Sequence, residues 1–127
     1  KLEKIVLLPG PIFGNEKWDM FRNSDIFVLP TLHENFGIVI AESLLCGTPV
    51  ITCQGAPWEG LIKNKCGWWI ERTPESIANT IKKAINLNEN ELKSMGIRGR
   101  EYIIKNFSSN LIAKQMLNMY MQVIYKS

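Results

Sequence analysis

Two acids punctuate the stretch LHENFGIVIAESLLCGTPVI, residues 32–51: Glu34 and Glu42, with seven residues between them. Such a pair supports one of three chemistries: acid and base across a scissile bond, a salt-bridged helix surface, or two hydroxyl acceptors on one extended ligand. Enzymes that cleave a bond between two carboxyls hold them roughly 5 to 9.5 Å apart. Eight residues of continuous helix set the two backbones about 12 Å apart, at ~1.5 Å per residue. That spacing argues against an acid–base couple unless Glu34 lies in a loop ahead of the helix. Glu42 falls between Ala41 and Ser43 in the most apolar part of the stretch, where an unpaired carboxylate costs several kcal/mol. It needs donors: a Lys or Arg on one reading, the two hydroxyls of a vicinal diol on the other. Gly37 lacks a Cβ where the helix is expected to begin, so a ligand can come close to the backbone and meet the first free N–H groups. That end suits an anion such as phosphate. Taken alone, the Phe36-Gly37 pair is equally well read as an ordinary tight loop.

These residues need elements to position them. KIVLL (Lys4–Leu8) is a short apolar run stopped by PGP, which predicts a buried strand. NEKWDMFRNS (Asn15–Ser24) sets Trp18, Phe21 and Arg22 at helical spacing, with Asn15 as N-cap candidate. DIFVLP (Asp25–Pro30) predicts a second strand, and FGIVIAESLLCG a helix with Gly47 at its C-cap. TPVITC (Thr48–Cys53) and GWWI (Gly67–Ile70) predict two more strands. Short buried strands alternating with helices give an α/β class: a Rossmann-like parallel sheet with helices on both faces. After Glu71 the pattern turns helical. PESIANTIKKAINL starts with Pro74 and lines up Ile77, Ile81, Ala84 and Ile85 as one stripe. Two further helices divide near Phe107–Ser109, with Ser108 or Ser109 as N-cap. In parallel sheets, ligands gather beyond the carboxyl ends of the strands. Thr31–Gly37 follows the strand Asp25–Pro30 and opens the next helix, so the Glu34 loop falls in such a place.

The chain has 127 residues, 46% of them hydrophobic and 9% aromatic, enough to bury the core of one domain. No apolar run approaches the ~20 residues of a membrane span, and no signal peptide is visible. A start at Lys1, directly before an apolar run, reads as a partial or excised domain. Cys46, Cys53 and Cys66 match no zinc or redox spacing and read as small buried thiols in a reducing cytoplasm. Charge is uneven: residues 1–71 hold 6 basic and 8 acidic side chains, residues 72–127 hold 9 and 4. The basic half suits a solvated helix face; peripheral contact with an anionic membrane is the alternative. No motif supports nucleic-acid binding.

Read together, these parts resemble the donor-site half of the family 4 (group 1) retaining glycosyltransferases, which have the GT-B fold. The residues that carry the resemblance are Pro30-Thr31, Glu34-Asn35-Phe36-Gly37, Glu42, Cys46-Gly47-Thr48-Pro49-Val50, Gly55 with Glu59, Gly67, and the closing Phe107-Ser108 with a late Tyr120. The resemblance implies that residues 1–127 are one partial nucleotide-sugar-binding domain of a larger enzyme. Its N-terminal acceptor domain, and the early donor-domain segment that normally supplies an Arg and a Lys, are expected to lie outside this sequence, so the chain alone is expected to be inactive. Glu34 would act in the catalytic site, holding hydroxyls of the donor sugar. The backbone at Phe36, Gly37 and Ile38 would meet the sugar and distal phosphate, and Glu42 the ribose hydroxyls. Pro11 and Ile12 would grip the base. Thr31 would add a minor contact or cap the loop, His33 would line the site or simply be exposed, and Glu59 would close the loop or cap a helix. The donor is a nucleotide-diphosphate sugar, transferred with retention to a saccharide or lipid-linked acceptor, as in polysaccharide or lipopolysaccharide biosynthesis. No metal or other cofactor is expected, and the location implied is cytoplasmic, at the inner face of a membrane. A non-catalytic nucleotide-sugar-binding module is the competing reading. The Glu-x-Phe-Gly and second-Glu pattern argues against a nucleotide-sugar epimerase.

Overall fold

The computed structural model describes residues 2–125. Strands β1 (Phe27–Leu29), β2 (Val50–Cys53) and β3 (Gly67–Ile70) form one parallel sheet in that order. Among the described residues six α-helices accompany it: α1 (Gly14–Arg22), α2 (Ile38–Leu45), α3 (Gly60–Lys63), α4 (Pro74–Ile85), α5 (Glu89–Phe107) and α6 (Ser109–Tyr125). Phe27, Val50 and Gly67 stand in register at one end of the sheet, and Leu29, Thr52 and Trp69 toward the other. Alternation across the pleat gives each face its own set of side chains. Phe27, Leu29, Val50 and Trp69 share one face and pack with Ile40, Leu44, Trp58, Leu61 and Ile103. Ile51 and Cys53 face the other way and are buried as well, on the β2–β3 surface that α4 contacts. The sheet is thus covered on both faces, as expected for parallel strands.

Several boundaries differ from the sequence reading, each for a physical reason. No strand forms over Lys4–Leu8. Leu2–Lys4 make a 3-10 turn, and Ile5, Leu7 and Leu8 are 79%, 84% and 91% exposed. Among the described residues this run joins no sheet, the open edge of β1 included, and an unpaired strand leaves its backbone groups without partners. Asn15 lies inside α1, and extended Phe13 takes the N-cap position without a side-chain cap. β2 begins only at Val50: the Thr48 hydroxyl donates to the Phe21 carbonyl (2.6 Å), and Pro49 offers just its carbonyl, to the Phe27 N–H (2.9 Å). On α4 the inward residues are Ile77, Thr80, Ile81 and Ala84, while Ile85 is 67% exposed. The helical tail is capped as its sequence requires. Thr73 accepts from the Ser76 N–H (3.1 Å), Asn88 and Glu91 form a capping box, and extended Ser108 separates α5 from α6.

Helix α5 lies directly on α2, and two small residues permit the approach. A Cβ at Gly96 would sit 2.0 Å from the Gly47 carbonyl oxygen, and one at Gly99 would sit 2.8 Å from Leu44 Cδ2. Helix propensity alone gives Gly96→Ala about 1 kcal/mol of added stability. The clash reverses the sign, and we expect chemical denaturation to show a loss of roughly 2 kcal/mol or more; a stabilised variant would disprove the close contact. Cys66 lies in the same core with its thiol 3.8 Å from the Leu61 carbonyl, and burial pushes it up to about 11 from an ordinary 9.0. The unfolded chain therefore ionises first, so this contribution is intact below pH 9 and is lost as pH rises through about 11. Unfolding free energies of the wild type and Cys66→Ala should converge over that interval; parallel pH profiles would refute the shift.

Candidate functional site at the carboxyl ends of the strands

Beyond Leu29 the chain passes into the loop that opens α2. Its position is fixed by the neighbouring loop after β2: the Glu34 N–H donates to the Gly55 carbonyl (3.1 Å). Only glycine fits at position 55, where a Cβ would fall 1.9 Å from the Leu32 carbonyl oxygen. The Thr31 hydroxyl lies 3.1 Å from the His33 carbonyl and 3.4 Å from Glu34 Oε1, so its single proton serves one or the other and braces the loop. Half-buried Glu34 lines an open cleft of about 430 Å³ with His33, Asn35, Gln54, Pro57 and Trp69. The indole of Trp69 donates to the Ala56 carbonyl (2.8 Å), which holds that wall. A slightly larger hollow, about 460 Å³, lies at the opposite end of the sheet beside Asp25, Thr48 and Pro49, away from this loop.

Gly37 is the N-cap of α2 with φ of 74° and ψ of 66°, a left-handed conformation that costs other residues more. No side chain caps this end, and the first turn closes through the Ile40 N–H on the Gly37 carbonyl (2.9 Å). The N–H groups of Ile38 and Val39 therefore point off the helix end, the place where an anion is stabilised. Ile38 is exposed. The Phe36 ring packs on Trp58 and Phe107, at centroid distances of 5.1 and 5.4 Å, and the Phe36 carbonyl accepts the Trp58 indole N–H.

Glu42 sits a turn further along α2 with its side chain 15% exposed. Lys17 on α1 donates to its Oε1 at 2.6 Å, while Oε2 is sealed from solvent and has no hydrogen-bond partner. Two readings of this acid thus coexist: it is salt-bridged through one oxygen, and its other oxygen is a buried acceptor without a donor. The side-chain partners of the two acids differ: Thr31 lies beside Glu34, and Lys17 donates to Glu42. Pro11 and Ile12 line a hollow of about 360 Å³ with Glu16, Asp19 and Met20 of α1, and Glu34 is not part of that lining. Glu59 precedes α3 without capping it and forms an exposed pair with Lys63 (3.4 Å). Among the described residues, no three His, Cys, Asp or Glu side chains cluster so as to hold a metal ion.

Sequence reasoning missed Lys17 and Trp58. Lys17 lies far from Glu42 in sequence, and no spacing rule joins them. Trp58 carried a local signal, a large aromatic inside the glycine-containing loop GAPWEG. Removing the ammonium in Lys17→Met leaves a mostly buried carboxylate without its partner. We expect a loss of about 1–3 kcal/mol by urea denaturation, much of it recovered in the double variant Lys17→Met/Glu42→Gln. Strict additivity of the two single changes would show that the pair is not coupled.

A family model described as glycosyl transferases group 1 matches residues 1–102. An uncharacterized glycosyltransferase of Methanocaldococcus jannaschii is 30% identical, over 92% of this chain and 30% of the relative. An alpha-1,3/1,6-mannosyltransferase of Neurospora crassa is 31% identical, over 91% of this chain and 25% of its own length. A capsular polysaccharide biosynthesis glycosyltransferase of Staphylococcus aureus is 33% identical, over 79% and 27%. The chain therefore spans about a quarter to a third of the length of these curated relatives. Among solved structures, sucrose-phosphate synthase from Thermosynechococcus elongatus superposes with a TM-score of 0.75 at 27% identity, over 85% of this chain and 27% of that one. A point mutant of TarM from Staphylococcus aureus, solved with Fondaparinux, alpha-GlcNAc-glycerol and UDP, superposes at 0.79 with 24% identity, over 94% and 24%, a likeness of fold. The parallel sheet and its helices match GT-B glycosyltransferase structures. With a family match that runs from the first residue through most of α5, the chain belongs to the glycosyl transferases group 1 family.

Proposed function

We propose that this chain binds a nucleotide-diphosphate sugar, the donor for glycosyl transfer by a parent enzyme of which it forms the donor-side part. The reading is carried by Glu42, whose Oε2 is buried without a hydrogen-bond partner while Lys17 holds Oε1. A buried carboxylate oxygen calls for a donor, and the vicinal diol of a ribose supplies O–H groups at the right scale. Because Oε2 is sealed from solvent, a diol reaches it only as the covering side chains move aside. Glu34, in its open cleft, accepts from hydroxyls of the donor sugar. Between the two acids, the uncapped end of α2 at Gly37 and Ile38 meets the distal phosphate. A helix terminus contributes roughly 0.3–1 kcal/mol per charge and more where water is excluded. These N–H groups favour the charge that builds on the departing diphosphate, which is how such a site accelerates transfer.

The finer assignments are also ours. Thr31 keeps the Glu34 carboxylate in place, and Pro11 and Ile12 contact the base once the donor is seated. Transfer proceeds with retention and needs no metal ion. The acceptor is a saccharide or a lipid-linked saccharide, a reading supported by the relative named for capsular polysaccharide biosynthesis. The parent works in the cytoplasm, peripheral to the membrane. Among the described residues no helix is long and apolar enough to cross one.

Titration calorimetry of the chain with a panel of nucleotide-diphosphate sugars tests the donor site. We expect Glu34→Ala and Glu42→Ala each to weaken the bound donor by roughly tenfold or more, the weight of a hydrogen bond to a charged group. Unchanged affinity in both variants would remove the site assignment. Anomer analysis of the parent's product tests retention, and an inverted product would exclude it.

A further inference from the structure

We propose that Trp58 is a positioning residue for the donor's phosphates: its indole N–H holds the Phe36 carbonyl inward, which turns the next N–H, that of Gly37, outward to the ligand. The proposal rests on the donor reading. Trp58 lies outside the loop it touches, in the segment between β2 and α3, and is only 1% exposed. Its N–H donates to the Phe36 carbonyl. In a planar trans peptide, the carbonyl of one residue and the N–H of the next point in opposite directions. A carbonyl fixed on buried Trp58 therefore sends the Gly37 N–H away from the indole.

The anchor matters because its neighbour in the chain is a glycine. Gly37 adopts φ of 74°, and a glycine reorients its backbone more cheaply than any other residue. Left unheld, the Phe36–Gly37 peptide is free to flip. A flip would aim an electronegative carbonyl, in place of an N–H donor, at the phosphates. One peptide plane thus decides whether this end of the helix attracts or repels the diphosphate. The indole is itself immobilised by rings: Phe36 at 5.1 Å, Phe107 at 5.6 Å and Tyr102 at 6.2 Å between centroids. Gly60 makes room for the last of these, since a Cβ there would lie 2.1 Å from the Tyr102 hydroxyl.

The test compares Trp58→Phe, which keeps an aromatic ring and removes the donor, with Tyr102→Phe, which alters the same cluster without touching Phe36. UDP, GDP and ADP, with their monophosphates, serve as probes in calorimetry on the full chain, alongside amide exchange across residues 34–40. We expect Trp58→Phe to weaken the preferred diphosphate roughly tenfold, the weight of one hydrogen bond to a charged group. Its monophosphate should change less than about twofold, and exchange at Gly37 and Ile38 should rise. Tyr102→Phe should leave all three readouts near the wild type. Should Trp58→Phe fail to fold, benzothienylalanine at position 58 replaces N–H by sulfur in the same ring shape and decides the matter. Equal losses for mono- and diphosphate, or unchanged diphosphate binding while Glu42→Ala still weakens it, would overturn the positioning role and leave the donor reading standing. A wild-type chain that binds none of the probes would overturn both.

Discussion

Val50, Ile51, Thr52 and Cys53 are all buried because helices lie on both faces of β2. A parallel strand in the middle of a sheet requires this, and it also requires each connection to cross over through a helix. The crossover from β1 to β2 is α2, so the start of α2 must stand just beyond the carboxyl end of β1. Everything at the site descends from that one demand. The loop carrying Glu34 turns the chain from strand to helix. The N–H groups at Gly37 are unsatisfied because a helix must begin there, and Glu42 is half-buried because α2 also packs against α1. Close backbone approach at Gly55 then ties this loop to the next one, so the two strand ends form a single rigid lip.

Much of this was legible in the residues. The alternation of apolar runs pointed to the parallel α/β class, and the segment Thr31–Gly37 fell at a strand end as its neighbours implied. Pro74 and Gly47 marked helix boundaries through local chemistry that needs no tertiary context. The failures share a cause: each depended on a partner distant in sequence or on the depth of a face. KIVLL has the composition of a strand, but a strand exists only beside another. Ile85 continues the α4 stripe by periodicity, yet Thr80 takes the inward place because its hydroxyl is satisfied by the Ser76 carbonyl at 2.8 Å. At the site, Glu34, Gly37 and Glu42 are recognisable by type and spacing. Lys17 and Trp58 were not, since their importance lies in which atom they touch across the fold.

Glu42 is held from one side only. A carboxylate held ready in a low-dielectric pocket is costly, and Lys17 offsets part of that cost at one oxygen only. Full pairing would make the acid stable and inert. Partial pairing leaves one acceptor unspent. The Lys17 ammonium also lies 4.8 Å from the centroid of the Trp18 ring, a second attraction that limits how freely it wanders from Glu42.

The exposed run Ile5–Leu8 has a practical consequence for anyone handling the isolated chain. Among the described residues, β1 is an edge strand with one side of its backbone unpaired, and four consecutive apolar residues on the same molecule are exposed and belong to no strand. Each copy thus carries both a socket and a plug for a neighbour's sheet, a combination that favours self-association. A charge introduced into that run is the device by which sheet edges of this kind are kept from one another.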